Sequence, residues 1–599
     1  MFEGEVGLSN IDPIAFELIR NALAAVVDDM TLTVVRTSYS SNLKNSMDFS
    51  TGFLNASGEL VVQGLCLPLH LGSLPDAMAA VLNKYEGHVC AEDVFILNDP
   101  FEGGSHLPDI YIFKPVFIGQ ELLGFVATIA HHSDVGGKVA GGNACDCTEI
   151  YQEGLRLPPL KLYEAGRRVD AIFQIIAKNV RVPHKVMGDL RAQLAACHIG
   201  ERGLKKLAQT HGTDNLLFYV TALMDYSERL ARAEIAAWND GTYEFTDYID
   251  DDGIDPNPVP IQVALTVDGD RLSADFSGTA RQVKGGINAP LPFTKSAVYA
   301  CVRSIMEAEI PTNSGFFRAI GVDAPAGSLV NPVLPAAVAA RGLTGFRLAN
   351  AIMGCLAQIA PQKVPACEVG GDTGISMGGY GPNGEAFVLL EFLFSGWGGR
   401  PHCDGIDGVA SIVVNFSNNP VEVLETEYPL RIRRYGFVPD SGGPGQYRGG
   451  LAVVREYEFT GDEAVLQIRS DRRKHRPYGL AGGRPGTPSL NILNPDHEHR
   501  VLESKVLLNI HKGDVLRHIL AGPGGYGDPR DRDPQLVAAD VRNEKIGLPY
   551  AEREYGVVID PRTLQVDQRE TDRLRTRMSA VQEGPEGCRS ARYRHESKQ

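Results

Sequence analysis

The stretch GGSHLPDIYIFKPVFIGQELLGFVATIAHH, residues 103–132, organises the reading of this chain. It holds two β-rich apolar runs, DIYIFKPVFI and ELLGFVATIAHH, fed by a glycine-rich loop. On a regular strand, residues i and i+3 face opposite sides, which would keep His106 and Asp109 apart. Pro108 breaks that regularity, because it has no N–H for a ladder, so pairing starts at or after Asp109. A turn there lets the imidazole and the carboxylate converge. If the two strands pair antiparallel, the end of the second lies beside the start of the first. That brings His131 or His132 near the pair, and strand alternation admits one of the two as a ligand.

Asp48, in NSMDFSTGF, is a further candidate donor. Two imidazoles with one or two carboxylates suit zinc, manganese or iron. The competing reading is a set of loop residues making ordinary hydrogen bonds. Glu149 and Glu153, in CTEIYQEGLRLPPLKL, are candidate general acid/base carboxylates, against a solvated loop edge. Arg156 could bind a carboxylate or balance a charge. Cys145 and Cys147 form C-x-C without a second pair, so a structural zinc is not expected there. Nothing local marks Cys145 as an activated nucleophile.

Outward from this stretch, helical spacing predicts a helix over 13–37, with Pro13 in its first turn. Two strands follow around an Asn-Ala-Ser-Gly turn, then a helix capped by Ser73 in SLPDAMAAVLNKY. Residues ~171–238 read as helices punctuated by Pro183 and Gly212. Beyond them, TYEFTDYIDDDG and IQVALTVDGDRLSADFSGT read as hairpin strands, with an Asp-Gly signal in VDGD. Helices are expected near 293–308 and 344–360, and a buried strand in EAFVLLEFLFSGWGGR. Residues ~425–525 are β-rich. The tail adds a helical PQLVAADVRNEKI and a strand-like YGVVID.

The expected fold class is therefore α+β, multi-domain and mixed α/β. Its parts are an N-terminal α+β metal-site region (1–170), a helical segment (171–240), a mixed α/β region (241–425), a β-rich region (426–575) and a charged, disordered tail (576–599).

The bulk numbers exclude some functions. A 599-residue chain exceeds one simple core, and its formal charge of -16 argues against nucleic acid as a partner. The one basic run, RSDRRKHRP at 469–477, reads as a salt-bridged or solvated strand end in preference to an anion site. No secretory signal or membrane span is expected, and ten scattered cysteines read as reduced thiols, which points to the cytoplasm. The glycine-rich loops NDPFEGGSH, DVGGKVAGGN, GGRPGT and AGPGGYGDP match neither a Walker loop nor a dinucleotide fingerprint. No G-x-S-x-G elbow is present.

NDPFEGGSHLPDIYIFKPVF, HHSDVGG, TEIYQEGLRLPPLKL, RSDRRKHRPYGLAGG and GDVLRHILAGPGGYGDPRDRDP occur in this order. Together they resemble the hydantoinase B/oxoprolinase family, from about residue 10 to about residue 560. The resemblance implies a hydantoinase A-like partner subunit that binds ATP, within a hetero-oligomer. It implies a metal held by His106, Asp109 and His131, with Asp48 as a further ligand or a water-orienting group. The implied reaction is ATP-dependent opening of a cyclic amide (hydantoin, 5-oxoproline or lactam), with Glu149 or Glu153 in proton transfer. In that route the partner phosphorylates the amide oxygen and the activated carbon is hydrolysed at the metal-holding chain. The alternatives are ATP-dependent carboxylation of a ketone and a non-catalytic structural subunit.

Overall fold

The computed structural model describes residues 11–64, 67–70, 72–142, 144, 146–369, 373–381 and 383–582 of the chain. Cys145 and the end of the charged tail, 583–599, lie outside the described residues.

A seven-stranded sheet dominates the N-terminal part. Its strands are β1 (Phe49–Asn55), β2 (Leu60–Gln63), β3 (Val94–Leu97), β4 (Asp109–Ile118), β5 (Glu121–His131), β6 (Leu160–Glu164) and β7 (Arg167–Arg168), in the order β2-β1-β5-β4-β3-β6-β7. β4 begins at Asp109, directly after Pro108, and pairs antiparallel with β5. Two core clusters cover its two faces. Among the helices on one face are Pro13–Thr37 and Pro183–His211; the helix Ser73–Lys84 lies on the other.

The helix Pro13–Thr37 starts where the sequence predicts. Asp12 caps it by accepting from the Ile14 amide at 3.0 Å, and proline occupies its first turn. It buries Phe16, Ile19, Leu23, Val27, Met30 and Val34, a stripe at three- and four-residue spacing. The partner helix Pro183–His211 approaches closely because Gly200 and Gly203 have no side chain. A Cβ at Gly200 would collide with Met30 Sδ, and one at Gly203 would stand 2.8 Å from Val26 Cγ2. Ser73 is an exception to the expected capping. Gly72 takes the cap position, and Ser73 opens the helix with its hydroxyl donating to the His70 carbonyl at 2.9 Å.

A second sheet runs β11-β10-β9-β8, from β8 (Gly241–Ile249), β9 (Val259–Asp268), β10 (Arg271–Asp275) and β11 (Ile320–Asp323). The β9–β10 turn carries Gly269 at φ 59°, the left-handed conformation that the Asp-Gly signal anticipates. The helices Leu291–Ile305 and Arg341–Ile359 pack into its core.

The remaining strands are β12 (Thr373–Tyr380), β13 (Ala386–Leu393), β14 (Leu430–Val438), β15 (Ala452–Phe459), β16 (Glu463–Arg469), β17 (Leu490–Leu493), β18 (Arg500–Leu502), β19 (Lys505–His511) and β20 (Val515–Ile519). They form the sheets β13-β12-β16-β19 and β14-β15-β20-β17-β18. The first of these draws strands from both sides of residue 425. In the tail, the helix Pro534–Arg542 forms as expected, whereas YGVVID contributes only an isolated bridge, Ile559 to Val566. The helices Leu548–Tyr555 and Gln568–Gln582 flank it.

The run at 469–477 is a salt-bridged strand end. Arg472 makes a two-pronged pair with Asp247 at 3.0 and 2.8 Å, and Arg347 meets Asp471 at 2.5 Å. Asp250 accepts the amides of Arg473, Lys474 and His475.

Candidate metal centre

Three adjacent strands deliver the first side chains. Asp109 opens β4 and His131 ends β5, and the two are direct cross-strand partners. Asp48 lies just before β1, and its carbonyl accepts the His131 amide at 3.0 Å. His106 is folded back on this edge, with the Asp109 amide donating to the His106 carbonyl at 3.0 Å. The Leu107-Pro108 turn thereby brings His106 Nε2 to 3.3 Å from Asp109 Oδ1. The His106 and His131 rings lie 4.9 Å apart.

Strand alternation separates the two neighbouring histidines. His131 faces the cavity, and His132 turns to the opposite side, where its Nε2 meets Gln193 Oε1 at 2.9 Å. Burial holds the His131 imidazole well below its ordinary pKa.

Sequence reasoning missed two further members. His70, from the short turn Pro68–His70, places Nε2 3.8 Å from Asp109 Oδ2. Arg341, at the start of its helix, forms an ion pair with Asp109 Oδ2 and donates to Ser105 Oγ at 3.1 Å. Both were visible as polar residues in apolar surroundings: a histidine in CLPLHLG and an arginine opening the helix after PAAVAA.

Proton positions follow from the partners. His106 Nδ1 faces the Ala339 carbonyl at 3.2 Å, which can only accept, so Nδ1 carries the proton. The Nε2 of the neutral ring is then a bare lone pair facing a carboxylate oxygen. His70 Nδ1 lies 2.9 Å from Ser50 Oγ, which also accepts the Leu67 amide at 3.2 Å. Burial pushes both His70 and His106 down to about 4. Burial alone would raise Asp109, but the Arg341 guanidinium paired with it helps to hold the carboxyl well below its usual range.

His106 Nε2, Asp109 Oδ1 and both His131 ring nitrogens are buried without a hydrogen-bond partner. Such atoms are costly unless something binds them. Asp109 Oδ2 is already engaged by Arg341 and Ser105. Among the described residues, no three His, Cys, Asp or Glu side chains close into a metal cage. The orphaned lone pairs nevertheless fit a divalent cation by chemistry: two imidazole nitrogens and one carboxylate oxygen, with Asp48 beside them.

The cavity over these groups is small, about 30 Å³, and lined by Phe293, Phe346, Phe392 and Phe416 with Arg341 and Arg469. Each guanidinium sits over a ring, Arg341 on Phe293 at 4.3 Å and Arg469 on Phe392 at 5.4 Å. A roomier groove of about 410 Å³ lies between Arg20 and Arg303; it is open to solvent, with no histidine in its lining.

The other sequence candidates separate. Glu149 is exposed, outside the cavity lining. Arg156 pairs with Asp99 at 3.3 Å and lies over the Tyr151 ring, also outside the lining. Glu153 is buried and also outside the lining, and burial raises its carboxyl to about 8.

The sequence profile of the Hydantoinase B/oxoprolinase family matches residues 12–529. The chain belongs to the hydantoinase B/oxoprolinase family. It is 34% identical over 587 residues to the B-type chain of a putative D-/L-hydantoinase from a Pseudomonas species (strain NS671), covering 95% of this chain and 98% of that protein. The crystal structure of the ATP-dependent caprolactamase from Pseudomonas jessenii superposes with a TM-score of 0.89 at 31% identity, covering 95% of this chain and all of that one. The nucleotide-free structure of an acetone carboxylase, at 20% identity and a TM-score of 0.91, covers 96% of this chain and 84% of its own and shares the fold. Members of the hydantoinase B/oxoprolinase family thus include ATP-dependent enzymes, and this chain has their architecture. No helix among the described residues is long and apolar enough to cross a membrane.

Proposed function

We propose that this chain is the B-type component of an ATP-dependent cyclic-amide hydrolase, paired with an A-type component that binds the nucleotide. The relatives' names support the pairing and the reaction class, and the chain itself carries no standard nucleotide loop. The observation that carries a catalytic centre is the approach of His106 Nε2 to Asp109 Oδ1 at 3.3 Å. Two acceptors at that distance call for a cation between them.

His106, Asp109 and His131 would hold a divalent metal, with Asp48 as a fourth donor. A bound cation supplies Lewis acidity and a fixed positive charge. The chain's own groups do the rest. His106 is locked in one tautomer by the Ala339 carbonyl. Arg341 neutralises the second oxygen of Asp109. The phenylalanine walls exclude bulk water and strengthen every charge interaction inside. Arg341 and Arg469 line the cavity that would receive an amide phosphorylated on the partner. The small volume implies that the walls part to admit a ring.

Co-purification with the A-type partner tests this. Metal analysis should find a divalent ion bound to this chain, and ATP should be consumed with lactams, hydantoins or 5-oxoproline. ATP consumption only with ketone and bicarbonate would replace the hydrolase by a carboxylase. Turnover by a His106→Ala complex that assembles without metal would refute the catalytic metal.

A further inference from the structure

We infer that Glu153 is a positioning residue, which sets the active-site turn 338–341 instead of transferring a proton. The inference rests on the metal centre proposed above. Glu153 is not among the residues that line the cavity, and its side chain reaches the backbone of that turn. One oxygen, Oε1, accepts two successive amides, Val338 at 2.7 Å and Ala339 at 2.8 Å. The turn is pinned from a second side by the Ala340 amide, which donates to the Gly286 carbonyl at 2.7 Å.

This turn presents two contacts to the site. The Ala339 carbonyl fixes the His106 tautomer at 3.2 Å. Arg341, two residues on, holds Asp109 and Ser105. A single carboxylate therefore fixes the backbone behind two contacts of the candidate centre, from a loop 47 residues beyond His106 in sequence. Glu153 lies at the end of a short helical turn, Ile150–Gln152, and its amide donates to the Ile150 carbonyl at 3.1 Å. Its loop is anchored too: the Ile150 amide donates to the Pro335 carbonyl at 3.0 Å. The two segments are thus tied at both ends of the contact. No ion pair to Glu153 is found among the described residues: Oε1 meets two peptide N–H groups, and Oε2 is buried without a hydrogen-bond partner. An acceptor oxygen at the right reach is what the two amides require, and charge is secondary.

Two conservative variants separate positioning from proton transfer, because they fail in opposite ways. Glu153→Gln keeps the reach and an acceptor oxygen but removes the titrating group. Glu153→Asp keeps the titrating group but is one methylene shorter. Both are made in the full chain, co-purified with the partner. Zinc affinity is read by chelator competition, alongside turnover and the thermal melt. Support for outer groups around a metal is commonly worth ~10–100-fold in metal affinity or activity. The expected result is zinc affinity within ~3-fold for Glu153→Gln and a loss of ~10-fold or more for Glu153→Asp, with turnover following the same order. The reverse order, equal losses in both variants, or no loss in either overturns the inference. Because zinc affinity is read without substrate, a complex inactive on every cyclic amide would refute the proposed reaction and still decide the role of Glu153. Absence of zinc binding by the unaltered chain would refute the metal centre, and this inference with it.

Discussion

Asp109 and His131 face each other directly across the β4–β5 ladder, yet their environments are opposite. Asp109 is held by Arg341 and Ser105, whereas both ring nitrogens of His131 have no hydrogen-bond partner. The two positions should therefore respond differently to substitution. Asp109→Ala strands the buried Arg341 guanidinium and should cost about 3–5 kcal/mol, read by denaturant unfolding. His131→Ala breaks no internal hydrogen bond of its ring. It should keep most of the stability while lowering metal content, read by elemental analysis. Equal destabilisation by both would contradict the assignment of partners.

Metal should also stabilise the chain. An ion that binds the folded form at 100 times its dissociation constant adds about 2.7 kcal/mol. Chelation should lower the melting temperature, and added zinc or manganese should restore it. The same titration on His106→Ala should give no shift.

A pH-dependent stability term arises at a buried carboxyl outside the cavity lining. Glu368 is fully buried and raised to about 7 by burial, which outweighs its hydrogen bonds from Ser411 and the Ile412 amide. The folded protein then binds a proton that the unfolded chain has released between its ordinary value of 4.5 and about 7. Stability from this group is present below the lower value and is lost as pH rises to the higher one. Glu368→Gln should flatten that slope, which is on the order of a few kcal/mol across the window. Equal pH profiles for the two proteins would refute the buried neutral carboxyl.

Helix contact provides a fourth check. Gly200→Val drives a branched side chain into Met30 and Val126, where even a Cβ has no room. The cost should be about 1–3 kcal/mol or more, as a lower melting temperature. Zinc affinity should be unchanged in the fraction that remains folded.

Much of this was legible in the sequence because it was local. Pro108 announced the onset of β4, the stripe from Phe16 to Val34 announced the first helix, and VDGD announced a hairpin. His106 and Asp109 were readable as a pair because three residues and a proline bring them together. His70 and Arg341 were not, because they reach Asp109 from segments 39 residues before and 232 residues after it. No local pattern encodes such a meeting. Glu153 shows the same limit: its spacing suggested a cleft carboxylate, and its peptide partners at 338 and 339 appear only once the chain is folded. Ser73 failed for a local reason, since its hydroxyl had a nearer acceptor at His70.

The small cavity has walls from widely separated parts of the chain: Asp48, His106 and His131 from the first sheet, Phe293 and Arg341 from the helices on the second, Phe392 and Arg469 from the third. It follows that the chemistry cannot be dissected out as a minimal fragment. A polypeptide ending at residue 240 would keep the histidines and lose both arginines and all four phenylalanines. Its donors would stand in open water, without the counter-charge that Asp109 meets in the intact fold.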